Sequence, residues 1–305
     1  MKLKTKILAV VRRQRLIPDR LDMIQEALGR IESRLNARDA ATGIDPRERE
    51  FKVYSQWGED GIIDYLVSQI DVPEKSFVEF GVENYTEANT LFLLKHRNWR
   101  GLVIDGSAAN IDAIHKGQVL WRYDLMADCS FITTDNINDI IRRNGLAGDL
   151  GLLSVDIDGN DYWVWQAIDC VNPRIVVAEY NSLFGPRALI STPYRADFYR
   201  TNADPSNMYY GASIAALTHL ARSRGYTLVA GNSAGNNVFF VRDDCLGSLK
   251  PQTVEQAYVQ AAFREARGPE GEIKFMTFAQ RQQAIGHHPV VDVVSGRQMS
   301  LKEAL

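Results

Sequence analysis

Two apolar segments of this chain end in an acid beside a glycine. The first is Phe77-Val78-Glu79-Phe80-Gly81 and the second is Gly101-Leu102-Val103-Ile104-Asp105-Gly106-Ser107. They stand about one βαβ unit apart, with a helix-forming stretch from Thr86 to Lys95 between them. Acids at neighbouring strand tips suit a nucleoside bound at the carboxyl edge of a doubly wound sheet. There Asp105, with Ser107 beside it, can accept hydrogen bonds from both ribose hydroxyls. The turn that follows the first strand holds only Gly81, where a dinucleotide fingerprint needs three glycines, and its Glu83 repels a phosphate. NAD and ATP are therefore disfavoured. S-adenosylmethionine, with its cationic sulfonium and ammonium, tolerates nearby carboxylates. Just upstream, Ser55 and Gln56 of Tyr54-Ser55-Gln56-Trp57-Gly58-Glu59-Asp60 could meet the amino-acid end of such a cofactor. Glu59 and Asp60 equally suit the first turn of a helix, where negative charge opposes the dipole.

A second constellation is Ser154-Val155-Asp156-Ile157-Asp158-Gly159-Asn160-Asp161, with Glu179 and Asn181 at the end of the next apolar run. So many oxygen donors with no basic residue nearby in sequence repel one another unless a cation sits among them. Hard oxygen ligands favour Mg²⁺ or Mn²⁺, or Ca²⁺, over Zn²⁺. The metal set so nominated is Asp156, Asp158, Glu179 and Asn181. The structural alternative has Asp158 and Asn160 capping the following helix and Asp161 in its first turn.

The elements that must position these residues alternate along the chain. Helices are expected over 60–70, 87–95, 110–116, 136–144, 161–169 and 212–224, and strands over 76–80, 101–105, 151–156 and 174–179, with a third strand inside 119–133. The last two strands are nearly continuous apolar runs, as in central parallel strands covered on both faces. Segments 226–230 and 238–242 flank a Gly-Asn-Ser turn and predict a hairpin, hence one antiparallel strand at the end of a parallel sheet. That detail separates methyltransferase-like from dehydrogenase-like sheets. The fold class expected is therefore α/β, Rossmann-like and doubly wound, with a mostly parallel sheet ending in an antiparallel hairpin.

Residues 1–16 form a basic tail, and the start of the chain could rest on an anionic membrane surface. Over 17–36, Ile17, Ile24 and Ile31 alternate with Leu21, Leu28 and Leu35. This is a coiled-coil seam, with leucine and isoleucine placed as in trimers or tetramers. A helix packed on its own domain is the alternative. A linker over 37–50, a Rossmann-like domain over 51–245 and an extension over 246–305 complete the organisation. With 305 residues, 45% of them hydrophobic, and a net charge of -3, the chain can bury a large core and gives no reason to expect nucleic acid. Cys129, Cys170 and Cys245 lie far apart without a pairing framework, as in a reduced, cytoplasmic protein, one able to sit peripherally at the inner membrane surface.

Together the motifs at 54–60, 78–81, 102–106 and 155–161 resemble those of the FkbM-type class I S-adenosylmethionine-dependent methyltransferases, over roughly residues 51–243. The resemblance implies a seven-stranded sheet and O-methylation, often of sugars in glycans or glycosylated metabolites. It implies that Glu79 and Gly81 line the methionine side, that Asp105 holds the ribose, and that Asp156, Asp158 and Glu179 lie beside the transferring methyl. The chain departs from the usual glycine-rich turn at Glu83 and Tyr85. A carboxylate of pKa about 4 is a poor base for a sugar hydroxyl, so metal-assisted deprotonation is the expected chemistry. The general base is not identified: His219 falls within a helix, and His287 and His288 stand alone.

Residues 181–211, rich in Asn, Pro, Gly, Tyr and Phe, are expected to cover the acceptor through aromatics that include Phe198 and Tyr199, with Arg187, Tyr194, Tyr209 and Tyr210 in contact with it and Arg187, Arg195 or Arg200 reading an acid or phosphate. Two rival readings stand. Asp156-Ile157-Asp158 matches the pattern of a metal-dependent glycosyltransferase, which leaves Glu79 and Asp105 without a role. A non-catalytic assembly module would use the coiled coil alone.

Overall fold

The computed structural model describes residues 2–38, 44–262, 266–268 and 270–305, with side chains from residue 20 onward. The helices in chain order are α1 (Lys2–Arg38), α2 (Glu59–Gln69), α3 (Leu91–Arg97), α4 (Ala108–Lys116), α5 (Val119–Arg122), α6 (Ile137–Arg143), α7 (Asp161–Ala167), α8 (Arg200–Ala203), α9 (Ile214–Ser223), α10 (Val254–Ala257), α11 (Phe278–Ile285) and α12 (Leu301–Ala304). The strands are β1 (Ser76–Phe80), β2 (Arg100–Asp105), β3 (Leu125–Cys129), β4 (Gly148–Val155), β5 (Val171–Glu179), β6 (Ile190–Ser191), β7 (Tyr226–Gly231), β8 (Asn237–Arg242), β9 (Pro289–Asp292) and β10 (Gln298–Ser300).

Seven strands form one sheet in the order β3-β2-β1-β4-β5-β8-β7. Its neighbours pair in parallel except at β8, which runs antiparallel to both β5 and β7. The hairpin expected at 226–242 supplies that reversed strand. Asn232 closes it by accepting from the backbone N–H groups of Gly235, Asn236 and Asn237 at 3.0–3.1 Å. The apolar runs are buried because helices cover both faces. On one face α6, α7 and α9 pack Ile141, Trp165 and Leu217 against Leu153, Val176 and Phe240. On the other, α2, α3 and α4 pack Leu66, Leu94 and Ile114 against Phe77, Val103 and Phe239. Burying that much apolar side-chain surface is the main term favouring the fold.

The two ends of the chain differ from expectation. The basic segment expected as a tail is helical from Lys2 within the single helix α1. That helix docks on the domain through small and polar residues. Gln25 Nε2 donates to Val53 O at 2.7 Å. Gly29 sits so close that a Cβ there would lie 2.3 Å from Val53 Cγ2. Part of the expected linker, residues 39–43, lies outside the described residues; the part that follows is a 3₁₀ turn over Pro46–Arg49, with Arg49 buried. No helix among the described residues is long and apolar enough to cross a membrane.

The expected acceptor loop and the C-terminal extension are one unit. Residues 190–191 of the loop pair with β9, which pairs with β10, in a small antiparallel sheet. Phe184, Phe198, Met208, Tyr209 and Tyr210 from the loop share a core with Ile285, Val290 and Leu301 from the extension. This cap is stitched to the main domain at Tyr180, whose hydroxyl donates to Val259 O at 2.9 Å.

Candidate active site

The tips of β1 and β2 are built on carboxylates that are already engaged. Glu79 is buried and accepts from the N–H groups of Asn89 and Thr90 at 2.7 and 3.0 Å and from the Thr90 hydroxyl at 2.5 Å. It thereby holds the residues that lead into α3, which starts at Leu91, four residues later than its expected start at 87. Burial pushes its pKa up to about 7 against the pull of those hydrogen bonds. Asp60 plays a similar part. Its Oδ2 accepts from the backbone of Val53, Tyr54 and Ser55 and from the Ser55 hydroxyl, and burial raises its pKa to about 6. Glu59 Oε1 accepts from Asn232 and Asn237 and ties α2 to the hairpin turn. The helix-start reading of Glu59 and Asp60 is the one the contacts support. Gln56 is exposed, and its backbone carbonyl accepts from Lys52. Neither Gln56 nor Glu79 lines the cleft described below, and Glu79 is taken up by the residues that lead into α3.

Gly81 does line it. Its φ is +66°, and a Cβ would fall 2.0 Å from the Asp156 carbonyl oxygen, so only glycine lets the β1 tip close on the β4 tip. In place of further glycines, Glu83 and Tyr85 adopt the left-handed conformation, at φ 48° and 59°. The N–H of Glu83 donates to Asp105 Oδ2 at 2.8 Å, while Ser107 N and Asn110 Nδ2 donate to Oδ1 at 2.7 and 3.1 Å. A carboxylate offers about four acceptor positions, so Asp105 is held in place with acceptor capacity left on Oδ2.

At the tips of β4 and β5 the pattern inverts. Asp156, Asp158 and Glu179 bring carboxylate oxygens within 4.8 Å of one another. No hydrogen bond from the described residues reaches the side chain of Asp156 or Glu179, and Glu179 Oε2 is buried without a partner. Burial first, and the neighbouring Asp158 and Asp161 charges second, push Asp156 well above the usual carboxylate range. Burial and then Asp156 do the same to Glu179. Asp161 is a scaffold: it accepts from Ile157 N and Gly159 N at 2.7 and 2.8 Å and so shapes the loop, with burial raising its pKa to about 6. Asp158 stands at φ 57° and pairs with Arg200. The cluster therefore has a basic partner after all, brought from α8 of the cap. Asn181 does not join the set. Its Oδ1 accepts from Leu183 N, and its Nδ2 donates to Met208 O and Tyr210 O, all within 3.0 Å. Both ends of that amide help to pin the cap.

One cleft of about 600 Å³ joins the two regions, a size usual for small-molecule sites. At one end lie Gly81, Glu83, Asp105, Ser107, Asn110 and Phe131; at the other lie Asp156, Asp158, Asn160, Tyr199, Arg200, Asn207 and Arg267. The aromatic and basic residues chosen from the loop mostly lie elsewhere. Arg187 is exposed outside the cleft. Tyr194 bonds the Thr134 hydroxyl at 3.0 Å. Tyr209 is buried, donates to Pro289 O and stacks on His288 at 4.2 Å. Tyr210 is buried under the Arg200 guanidinium at 3.7 Å. None of these four lines the cleft, and Tyr209 and Tyr210 belong to the core of the cap. Phe198, Tyr199 and Arg200, expected from the same loop, do line it, and Gly159 permits it, since a Cβ there would strike the Phe198 ring at 2.2 Å. Phe131, 48% exposed just after β3, gave no signal in a stretch whose strand limits were ambiguous.

No protein-family model matches the chain, and no curated protein matches it. Solved structures that it resembles include S-adenosylmethionine-dependent methyltransferases. The N-terminal domain of EvdMO1, in the presence of SAH and D-fucose, is similar over 65% of this chain and 82% of its own, at 10% identity and a TM-score of 0.37. The O-methyltransferase from Bacillus cereus in complex with SAH is similar over 71% of this chain and 91% of its own, at 10% identity and a TM-score of 0.39. TYW2 of M. jannaschii in complex with AdoMet covers 55% of this chain and 68% of its own, at 11% identity and a TM-score of 0.31. At such values the likeness assigns no role to any residue.

Proposed function

We propose that the protein is an S-adenosylmethionine-dependent O-methyltransferase of FkbM type, acting on a hydroxyl of a sugar or glycan with the help of a divalent metal. The observation that carries the reading is the shared cleft, with a fixed aspartate at the β2 tip and, at its other end, Asp156 and Asp158, whose carboxylate oxygens lie within 4.8 Å of that of the buried Glu179. The reversed strand β8 accords with it.

In this reading Asp105 grips the ribose through Oδ2, and Phe131 offers a flat face to the adenine. The cationic end of the cofactor then points toward the acids. When bound, S-adenosylmethionine supplies a methyl group on a positively charged sulfur. Asp156, Asp158 and Glu179 would hold Mg²⁺ or Mn²⁺, and the partnerless Glu179 Oε2 fits that use. Such an ion supplies a Lewis acid that eases ionisation of a coordinated hydroxyl. The chain's own residues set the geometry: Asp161 fixes the loop that carries Asp156 and Asp158, Arg200 orients Asp158, and Tyr199, 58% exposed, offers a face to a sugar ring.

One observation favours the glycosyltransferase reading: Arg200 and Arg267 line the cleft beside Asp156-Ile157-Asp158 and could meet a diphosphate. Calorimetry separates the two. S-adenosylmethionine is expected to bind at micromolar concentration, and Asp105→Ala to abolish that binding. Tighter binding of a UDP- or GDP-sugar, with S-adenosylmethionine inert, would replace the proposal. Mn²⁺ titrated by calorimetry should bind the wild type and fail to bind Glu179→Gln; equal binding to both would remove the metal site.

A further inference from the structure

We infer that the exposed stripe of α1 is a self-association surface that joins three or four copies of the chain through parallel, in-register helices. Leu21, Ile24, Leu28, Ile31 and Leu35 are each between 50% and 58% exposed. Contiguous apolar exposure of this kind marks an interaction site. The helix is not loose, since Gln25, Gly29, Ser33 and Asn36 on an adjoining face hold it to its own domain. The packed-helix alternative is thus met through a small, polar face, and the apolar seam is left outward.

The occupant follows from spacing and charge. The seam repeats strictly at four and three residues, with Met23 as one further exposed apolar side chain beside it, and this is the pattern of a helix partner. A helix lying in a membrane interface needs a broader apolar face. Leucines occupy one seam position and isoleucines the other, in the arrangement that favours trimers or tetramers. The flanking positions are Arg20, Ala27 and Arg34 on one side and Gln25 and Glu32 on the other. Antiparallel overlap of the full seam sets Arg20 against Arg34 twice. Parallel overlap sets Ala27 beside Glu32 and brings Arg20 toward the Gln25 already bonded to Val53 O, with no like charges facing. A seam this short is marginal in a free peptide. Here docking has already ordered the helix, which removes much of the entropic cost of association.

Light scattering on the full chain should give a mass of three or four chains, and Leu28→Asp should reduce it to one with an unchanged circular dichroism spectrum. Exchanging leucine and isoleucine throughout the seam (Leu21→Ile, Ile24→Leu, Leu28→Ile, Ile31→Leu and Leu35→Ile together) keeps its hydrophobicity but should shift the mass to two chains. Under oxidation, Leu21→Cys should form a linkage between chains that the wild type lacks, because only parallel pairing brings position 21 to its own counterpart. A wild type of single-chain mass, or one that merely sediments with anionic vesicles, overturns the inference. So does a mass unchanged by Leu28→Asp, and absence of the Leu21→Cys linkage overturns the parallel arrangement.

Discussion

Glu79 and Asp156 sit at the tips of adjacent strands of one sheet, yet they are opposites. Glu79 receives three hydrogen bonds from Asn89 and Thr90. Asp156 receives none from the described residues and faces Asp158 and Glu179 instead. Burial raises the pKa of both, so a perturbed pKa does not tell them apart; the hydrogen bonds do. A carboxylate whose acceptor sites are filled by backbone amides shapes the chain. One that is set among other acids, with no donor from the described residues, costs stability through their mutual repulsion, and a site keeps such a group for what it does to a ligand. Asp105 lies between the two, held by three donors with capacity to spare.

The largest effect that sharpens this contrast is expected at Glu79. Glu79→Ala would strand two buried N–H groups and a hydroxyl, and denaturant unfolding should show a loss of ~3 kcal/mol or more. A loss near zero would mean that the three contacts are not what orders the approach to α3. The dependence on pH comes next. The pKa of Glu79 rises from 4.5 to about 7 on folding, so between those values the folded state keeps a proton that the unfolded state has released. Stability must then fall as pH climbs from 4.5 to 7 and level off above, with the Glu79 contribution intact below 4.5. Urea unfolding across that range should show a shallower slope for Glu79→Ala; an identical slope would place the titration elsewhere, for instance at Asp60. The smallest effect is expected from Thr90→Val, which removes one hydroxyl donor and should cost about 1 kcal/mol. A larger cost would show that the hydroxyl does more than donate to Glu79.

Much of this arrangement is visible in the sequence. An apolar run ending in an acid marks a strand tip, so Asp105, Asp156 and Glu179 could be placed at the sheet edge from local pattern alone. The hairpin at 226–242 was legible because its turn residues adjoin apolar segments. What local pattern does not carry is the partner. Arg200 meets Asp158 across 42 residues. The pairing of β6 with β9 spans the interval between loop and extension, and it buries Tyr209 and Tyr210, which composition alone offers as acceptor contacts. Asn181 and Glu79 look like ligands until their hydrogen bonds are counted. The seam of α1 was plain from its spacing, whereas the docking face was not, because Gly29 and Ser33 bind by being small.

The contrast is tested most directly by the melting temperatures of Glu79→Ala and Asp156→Asn, measured together at neutral pH. Glu79→Ala should melt well below the wild type. Asp156→Asn, which alters a carboxyl that no hydrogen bond from the described residues reaches, should melt at or above it, at about 2–4 °C for each kcal/mol gained. A drop in Asp156→Asn comparable to that in Glu79→Ala would show that Asp156 is a structural residue and that the cluster is not held ready for a ligand.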